Sequence, residues 1–398
     1  MQKKLLVIGA GFLQSFIIKK AKELGYYTIA IDKNPNSVGF NYADEIEIID
    51  IIDQEACLEY AKIKKIDGVI TAASDYGVLS VSYISKKLNL PGLDYEIAKI
   101  IKDKYKIRQK LFQNNVDDIS QFYEVKNEKD LSEITPHLAF PLMVKPCDGS
   151  GSKGTKKVNS ITEMSEACNE AISVSITKKA LVEDFIEGSE YGVECFVANN
   201  EVHVLGVLGK NMTNPPYYAE LGHYIPSKLT IENKVEEIAK KAINCLGIDF
   251  GSVNMDVLVT KDNKVCIIDM GARMGGNLIG SHIIPLSTGC DYQRIIIEAA
   301  LGEKINLNIN KTKRSVATNI LALKPGEIKK LPDFKKIEKK YSTTMYHQLK
   351  VGDIITEYHN NLDGCGYVLS EGDNLNEVIN RVGKVKDVVD SQIVRAFN

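Results

Sequence analysis

The stretch from Ser252 to Asn277, SVNMDVLVTKDNKVCIIDMGARMGGN, constrains the fold more than any other part of the chain. Two apolar runs, NMDVLV and CIIDMG, flank a polar turn at Lys261-Asp262-Asn263-Lys264, the pattern of neighbouring antiparallel strands. Each run carries one acid, Asp256 and Asp269. A carboxylate in such a strand is costly to bury unless it is paired or bound to metal. Two of them side by side repel, and a divalent cation between them resolves both problems. Arg273 and the Gly275-Gly276 pair follow at once, so acids, a guanidinium and bare backbone come together as a metal–nucleotide phosphate site requires. The competing reading is an exposed hairpin with two solvated acids.

The 398 residues leave room for two or three domains. A net charge of −2 gives no electrostatic case for nucleic acid or an anionic membrane. The eight cysteines include no C-x-x-C pair and read as scattered reduced thiols. The amino terminus, MQKKLLVIGAGF, starts directly on a strand without a signal-peptide core. No apolar run approaches the roughly 20 residues that span a bilayer. A cytoplasmic location is therefore expected, with neither nucleic acid nor membrane as a partner.

The chain opens on a βαβ unit: strand 4–8, Gly9-Ala10-Gly11, a helix to about Leu24, and strand 27–32. Asp32 lies where a dinucleotide fold holds the ribose, but Gln14 replaces the third glycine of G-x-G-x-x-G, which weakens a nicotinamide reading. The alternation continues through strand 68–71 to a loop with Ser74 and Asp75 at a strand's carboxyl end, where open α/β sheets bind ligands. Both residues are substrate candidates; the alternative is an N-cap pair for the next helix. A long helical region over about 95–113 contains Asp103-Lys104. Strand LMVKP then carries Lys145 to the edge of a glycine-rich loop, Asp148–Gly154, suited to phosphate contact. Residues 118–187 read as a small α+β unit. After a hairpin at 190–208, a loop is expected over Lys210–Ser227, rich in Pro, Tyr and polar residues.

In this order, the Asp-Lys helix, the VKP strand, the glycine flap, the VEDFIEGSE segment, the two acid-bearing strands and Arg-x-Gly-Gly resemble the ATP-grasp superfamily of carboxylate–amine ligases. The likeness is to L-amino acid ligases and to glycinamide-ribonucleotide-type and biotin-carboxylase-type enzymes. It implies an α/β and α+β fold with a Rossmann-like βαβ domain over 1–103 and an ATP-grasp domain over 104–306. The latter has a small α+β lid and a central antiparallel-sheet core. A small β-rich, α+β domain over 307–398 completes the chain. It implies that Lys104 and Lys145 contact the ATP phosphates, that Ser150, Gly151 and Ser152 form the flap, that Glu183, Asp184, Phe185 and Ile186 form the adenine hinge, and that Glu190 accepts the ribose hydroxyls. Asp256 and Asp269 would bind magnesium, with manganese as the alternative ion, and Arg273 would stabilise the transferred group. His223 is the candidate for neutralising a phosphorylated intermediate. Tyr217 or Tyr218, Glu220, Gly275, Gly276 and Asn277 join Ser74 and Asp75 as substrate candidates. Where the family usually has E-x-N-x-R, this chain has Asp269, Gly271 and Arg273, which puts the second magnesium in question. The implied reaction turns a small-molecule carboxylate into an acyl phosphate and joins it to an amine, in a protein that could form a homodimer. A purine-pathway or carboxylase-type ligase, an ATP-binding protein without ligase activity and a nicotinamide-dependent dehydrogenase are the competing readings.

Overall fold

The computed structural model describes residues 2–215, 217–307, 309 and 314–396. The opening alternation builds a parallel sheet from β1 (Lys4–Ile8), β2 (Tyr27–Asp32), β3 (Glu45–Ile48) and β4 (Gly68–Ile70), ordered β3-β2-β1-β4. The β1 run is continuously apolar because it is covered on both faces. Leu5 and Val7 pack with Ile17 and Ile18 of the helix Phe12–Glu23. Leu6 and Ile8 pack with Leu58 and Ile84 from the helices Gln54–Lys64 and Val78–Leu88.

The lid sheet joins β5 (Phe122–Val125), β6 (Leu142–Pro146), β7 (Lys156–Val158) and β8 (Ala180–Asp184) in the order β5-β8-β6-β7. Met164, Ala167, Cys168 and Ala171 of the helix Ile161–Val174 are buried with it. The core contributes β9 (Ser189–Ala198), β10 (Glu201–Met212), β11 (Glu220–Ile225), β12 (Gly251–Val259) and β13 (Val265–Gly271). The carboxyl-terminal part adds β14 (Ser315–Ile320), β15 (Gly326–Lys330), β16 (Thr344–His347), β17 (Ile354–Ile355), β18 (Gly366–Gly372) and β19 (Val394–Ala396). One eight-stranded sheet, β13-β12-β9-β10-β11-β14-β18-β16, runs through the core and on into this last part, so the sheet does not break at residues 306/307. The remaining strands form the small sheet β17-β15-β19. No helix among the described residues is long and apolar enough to cross a membrane.

Alternation assigns the two faces of the core sheet. Val193, Cys195 and Val197 of β9 and Val253, Met255 and Val257 of β12 pack with the helix Glu232–Leu246. Glu190, Asn254 and Asp256 lie on the opposite phase. On β13, Val265 and Ile267 belong to the helix side, and unbroken alternation would send Asp269 there as well. A bulge opposite Asp256/Val257 leaves Ile268 unmatched, and beyond it Asp256 stands directly across from Asp269. One extra residue thus moves the acid off the apolar face.

Two expectations need correction. The region 95–113 is two helices, Tyr95–Ile101 and Lys104–Gln113. Asp103 caps the second through Tyr105 N and Lys106 N, so Lys104 is its first residue. The expected loop at 210–227 is half strand: Lys210–Met212 end β10, and Glu220–Ile225 form β11 between β10 and β14. Pro215, Pro216, Tyr217 and Tyr218 fall in the short connection, where Pro216 lies outside the described residues, while Tyr224 belongs to β11.

Arg108 ties three parts together. Its guanidinium donates to Glu183 on β8 at 2.9 Å and to Asp117 at 2.7 Å, and also to the Ile267 carbonyl on β13. All three charged side chains are buried. Removing one partner of such a group strands the others in a poorly solvated place. Arg108→Ala is expected to cost about 3–5 kcal/mol in chemical denaturation; a loss below about 1 kcal/mol, the worth of a surface pair, would show that the network is dispensable.

Candidate functional site

The paired acids stand in a ring of charge. Lys104 Nζ binds Asp269. Lys210 Nζ lies 2.5 Å from Asp256 Oδ1, 2.7 Å from Glu220 Oε1 and 3.7 Å from Glu190 Oε2. Burial would strip the Lys210 proton, but Asp256, Glu220 and Glu190 outweigh it and hold the ammonium above the ordinary lysine range. Glu220 is buried too, yet Lys210 and then His223 keep it well below the usual carboxylate range. Asp256 moves the other way, raised by burial in spite of Lys210. Glu190 is pushed up to about 7, by burial first. Four carboxylates (Glu190, Glu220, Asp256 and Asp269) share two ammonium groups (Lys104 and Lys210), so the donor set is all-oxygen and under-neutralised. That chemistry fits a hard divalent cation.

On the other side of the cleft, Lys145 Nζ donates to Ile268 O at 2.7 Å and pairs with Glu183 at 2.6 Å. A cavity of about 450 Å³ opens between these walls. Lys104, Lys145, the flap residues Ser150–Ser152, the hinge residues Glu183–Ile186, Glu190, Asp256 and Asp269 all line it. The two acidic hinge side chains are occupied: Glu183 holds Lys145 and Arg108, and Asp184 accepts from Gln121 Nε2 at 2.9 Å. The hinge backbone, Phe185 and Ile186 remain to meet a ligand. The Phe185 ring has Lys157 Nζ 4.0 Å from its centroid.

The flap is docked. Ser150 Oγ donates to Asp75 Oδ2 at 2.9 Å, and Ser152 Oγ donates to the Tyr218 carbonyl at 2.8 Å. Asp75 in turn accepts Arg273 Nε at 2.9 Å and Nη2 at 3.1 Å, a bidentate pair. Burial would raise the Asp75 carboxyl, and the Arg273 guanidinium overrides it and holds it well below the usual range. This pair explains Gly271, where the family pattern has an amide. A Cβ there would stand 2.6 Å from Asp75 Oδ1, so the space is already taken. Ser74 and Asp75 do not cap the next helix, whose N-cap is Gly77 without a side-chain bond.

Other candidates land elsewhere. The Gly275 amide donates to the buried Glu194 carboxylate at 3.0 Å, and Gly276 sits near Leu13 and Ala73, so neither glycine lines the cavity. Asn277 is engaged by other side chains: its Nδ2 donates to Glu220, and its Oδ1 accepts Tyr367 OH at 3.0 Å. His223 is fully buried in β11 with Nε2 3.6 Å from Glu220 Oε1, reaching the cavity only through that acid. Tyr217 is exposed and stacks on His359 at 4.5 Å; Tyr218 is the tyrosine that lines the cavity. Lys210, Asn361 and Glu194 escaped the reading of the sequence. Lys210 stood in plain view after the alternating run VLGVLG, hidden by its assignment to a loop. Asn361 holds Glu220 from 141 positions away, and no local pattern signals that.

The glycine turn after β1 is not open to a dinucleotide. The Gln14 side chain folds over it, within 3.5 Å of where a Gly9 side chain would begin, and bonds the Ala72 carbonyl. Asp32 accepts from Ala10 N at 2.8 Å and Asn34 N at 2.9 Å, a structural role rather than a ribose-binding one.

Residues 138–281 match the family model of the ATP-grasp domain. Over its full length the chain is similar to the crystal structure of phosphoribosylglycinamide synthetase from Anaerococcus prevotii, with 28% identity, a TM-score of 0.77 and 100% of both chains covered. It also superposes on an L-amino acid ligase from Bacillus licheniformis, with a TM-score of 0.84 at 21% identity and 97% of both chains covered. In sequence it is 31% identical to a D-alanine–D-alanine ligase from Proteus mirabilis over 205 residues, covering 47% of this chain and 54% of that protein. The chain spans 66% or less of the length of the first curated relatives it matches. The fold is ATP-grasp, with the lid, core sheet and βαβ domain arranged as above.

Glu194 offers a test of the wall behind the site. It accepts Gly275 N, Tyr292 OH at 2.8 Å and Asn254 Nδ2 at 3.0 Å, and burial pushes its carboxyl up to about 7. A carboxyl raised on folding adds stability that is full below the unfolded value near 4.5 and is lost as pH rises through 7. Replacing it with a non-titrating amide removes that slope. From pH 5 to pH 8, Glu194→Gln is expected to gain up to about 3 kcal/mol relative to the parent in denaturation midpoints. Parallel pH profiles for the two proteins would rule out this titration.

Proposed function

We propose that this ATP-grasp protein is an ATP-dependent ligase that activates a small-molecule carboxylate as an acyl phosphate and joins it to an amine, releasing ADP and phosphate. The observation that carries this reading is the convergence of Lys104, Lys145, a glycine flap and the Asp256–Asp269 pair on one cavity. Lys104 and Lys145 face the triphosphate from opposite walls as point charges. Asp256 and Asp269 would hold magnesium, whose chemistry there is to neutralise phosphate oxygens. The flap, closed by Ser150 and Ser152, excludes water from a group that hydrolyses readily. Arg273, held bidentate by Asp75 and bonded to Asn254, would serve charge developing on the transferred group by exchanging from Asp75. Glu190 accepts the ribose hydroxyls and Lys210 orients Glu190, Glu220 and Asp256. His223 acts through Glu220.

In the first half-reaction a carboxylate oxygen bonds the γ-phosphorus as the bond to the β-phosphate oxygen breaks. In the second, the amine attacks the acyl carbon, phosphate departs and the amine releases a proton. Holding the reactants in place and stabilising charge supply the rate. The full-length likeness to the Anaerococcus enzyme favours a second reading, a ligase acting on a phosphorylated purine precursor.

The reading is tested by an ADP-release screen over amino acids taken in pairs, with mass detection of the product. Asp256→Ala and Asp269→Ala are each expected to abolish ADP formation while circular dichroism and melting stay close to the parent's. Near-full turnover by either variant at ordinary magnesium would remove the metal assignment. ATP binding without ADP formation in any pool would leave a nucleotide-binding protein without ligase activity.

A further inference from the structure

A second, larger cavity of about 820 Å³ adjoins the first, between the βαβ domain and the carboxyl-terminal part. The two share Ser150 and Asn361 as a common wall. Asp75, which holds Arg273, lines the larger cavity as well. A group bound there would lie against the flap and beside the arginine, where an acceptor must stand. This inference rests on the ligase reading, and it names the kind of acceptor.

The lining is apolar at its mouth and poor in cations. Phe12, Leu13, Leu349, Ile354, Leu362 and Tyr367 contribute carbon surface. Ile354 and Leu362 are 69% and 74% exposed, large apolar side chains held out at the rim. Among the described residues that line it, against this stand one lysine, Lys350, and His347, whose charge burial disfavours. Asp353, which accepts the Lys350 amide at 2.7 Å, and Asp75 offset them. No arginine is among the described residues that line the cavity. The nearby helix that starts at Phe12 would be the natural cradle for a phosphate, but Gln14 lies over its glycine turn. A phosphate ester placed here would meet no guanidinium among the described lining residues, and the glycine turn that could offer it backbone amides is covered by Gln14.

We propose that this cavity is the acceptor pocket and that it takes an unphosphorylated amine with an apolar or aromatic body, rather than an amine carrying a sugar phosphate. The experiment is a calorimetric titration of the full chain, saturated with ADP and magnesium, using L-phenylalanine, L-leucine and ribose 5-phosphate as probes. The expected result is binding of L-phenylalanine or L-leucine tighter than that of ribose 5-phosphate. Leu362→Asp and Ile354→Asp, changes at exposed positions that the fold tolerates, are expected to weaken the apolar probes about tenfold or more by placing a charge against carbon surface. ADP affinity should stay within about twofold of the parent's, a change worth less than 0.5 kcal/mol. Tighter binding of ribose 5-phosphate, no binding of either amino acid, or apolar binding indifferent to both substitutions would overturn the proposal while leaving the ligase reading intact. Failure of ADP itself to bind would sink both.

Discussion

The placement of like charges on one sheet face governs this molecule. Asp256 and Asp269 stand opposite each other on adjacent strands, with Glu190 and Glu220 close by. So much negative charge survives partial burial only because Lys104 and Lys210 reach into it. The lysines come from a helix start and a distant strand, so the cluster exists only when the helix Lys104–Gln113, β10 and the β12–β13 hairpin are docked together. Removing one ammonium would leave carboxylates buried and unpaired. On the proposed reading, a divalent cation and a phosphate chain would complete the geometry to which the core is thereby committed.

A single backbone irregularity makes this geometry possible. Without the bulge at Ile268, Asp269 would share a face with Ile267 and point toward the helix Glu232–Leu246. The two acids and the turn between them were legible in the sequence, because an acid in an apolar strand is a conspicuous cost. The bulge was not, since nothing in CIIDMG distinguishes an unmatched isoleucine from a paired one. The same contrast runs through the rest of the chain. The βαβ opening, the lid, Lys145 and the flap were readable from periodicity and glycine spacing. The resemblance to ATP-grasp ligases put Lys104 in its place. Lys210, Asn361 and the Asp75–Arg273 pair depend on contacts between residues far apart in sequence. Lys210 was further obscured by neighbouring prolines and tyrosines that describe a short connection and not the strand ends beside it. Gly271 shows how a departure from a family pattern can be compensated: the missing amide leaves room for Asp75, an acid from another domain.

That pair also changes what the flap can do. Ser150 touches Asp75, Asp75 holds Arg273, and Arg273 Nη1 reaches Asn254 Oδ1 at 3.0 Å. Asn254 then leads to Glu194, and Glu194 to the Gly275 amide. The chain of bonds joins flap, first domain and core sheet. Opening the flap gives up a bond to Asp75, and any anion that draws Arg273 toward itself competes with the same carboxylate. Flap position and arginine availability are therefore not independent. On the proposed reading, the arginine is engaged when the cleft holds no anion and becomes exchangeable as one arrives.

The two cavities give this coupling a direction. They meet at Ser150 and Asn361, the first on the flap and the second bound to Glu220. On the proposed reading, an acyl phosphate formed in the first cavity has to be reached by the amine before water reaches it. A shared wall made of the closed flap satisfies both needs, because the contact that shuts the nucleotide cavity also forms a side of its neighbour. Asn361 adds a second constraint. It bonds the Glu220 amide and carboxylate together, so the segment around it, which also carries the exposed Leu362, is tied to the charge cluster of the core. The carboxyl-terminal part is thus more than an extension of the sheet. On the proposed reading it supplies the rim that selects an acceptor and fixes that rim to the acids beside which the nucleotide would lie.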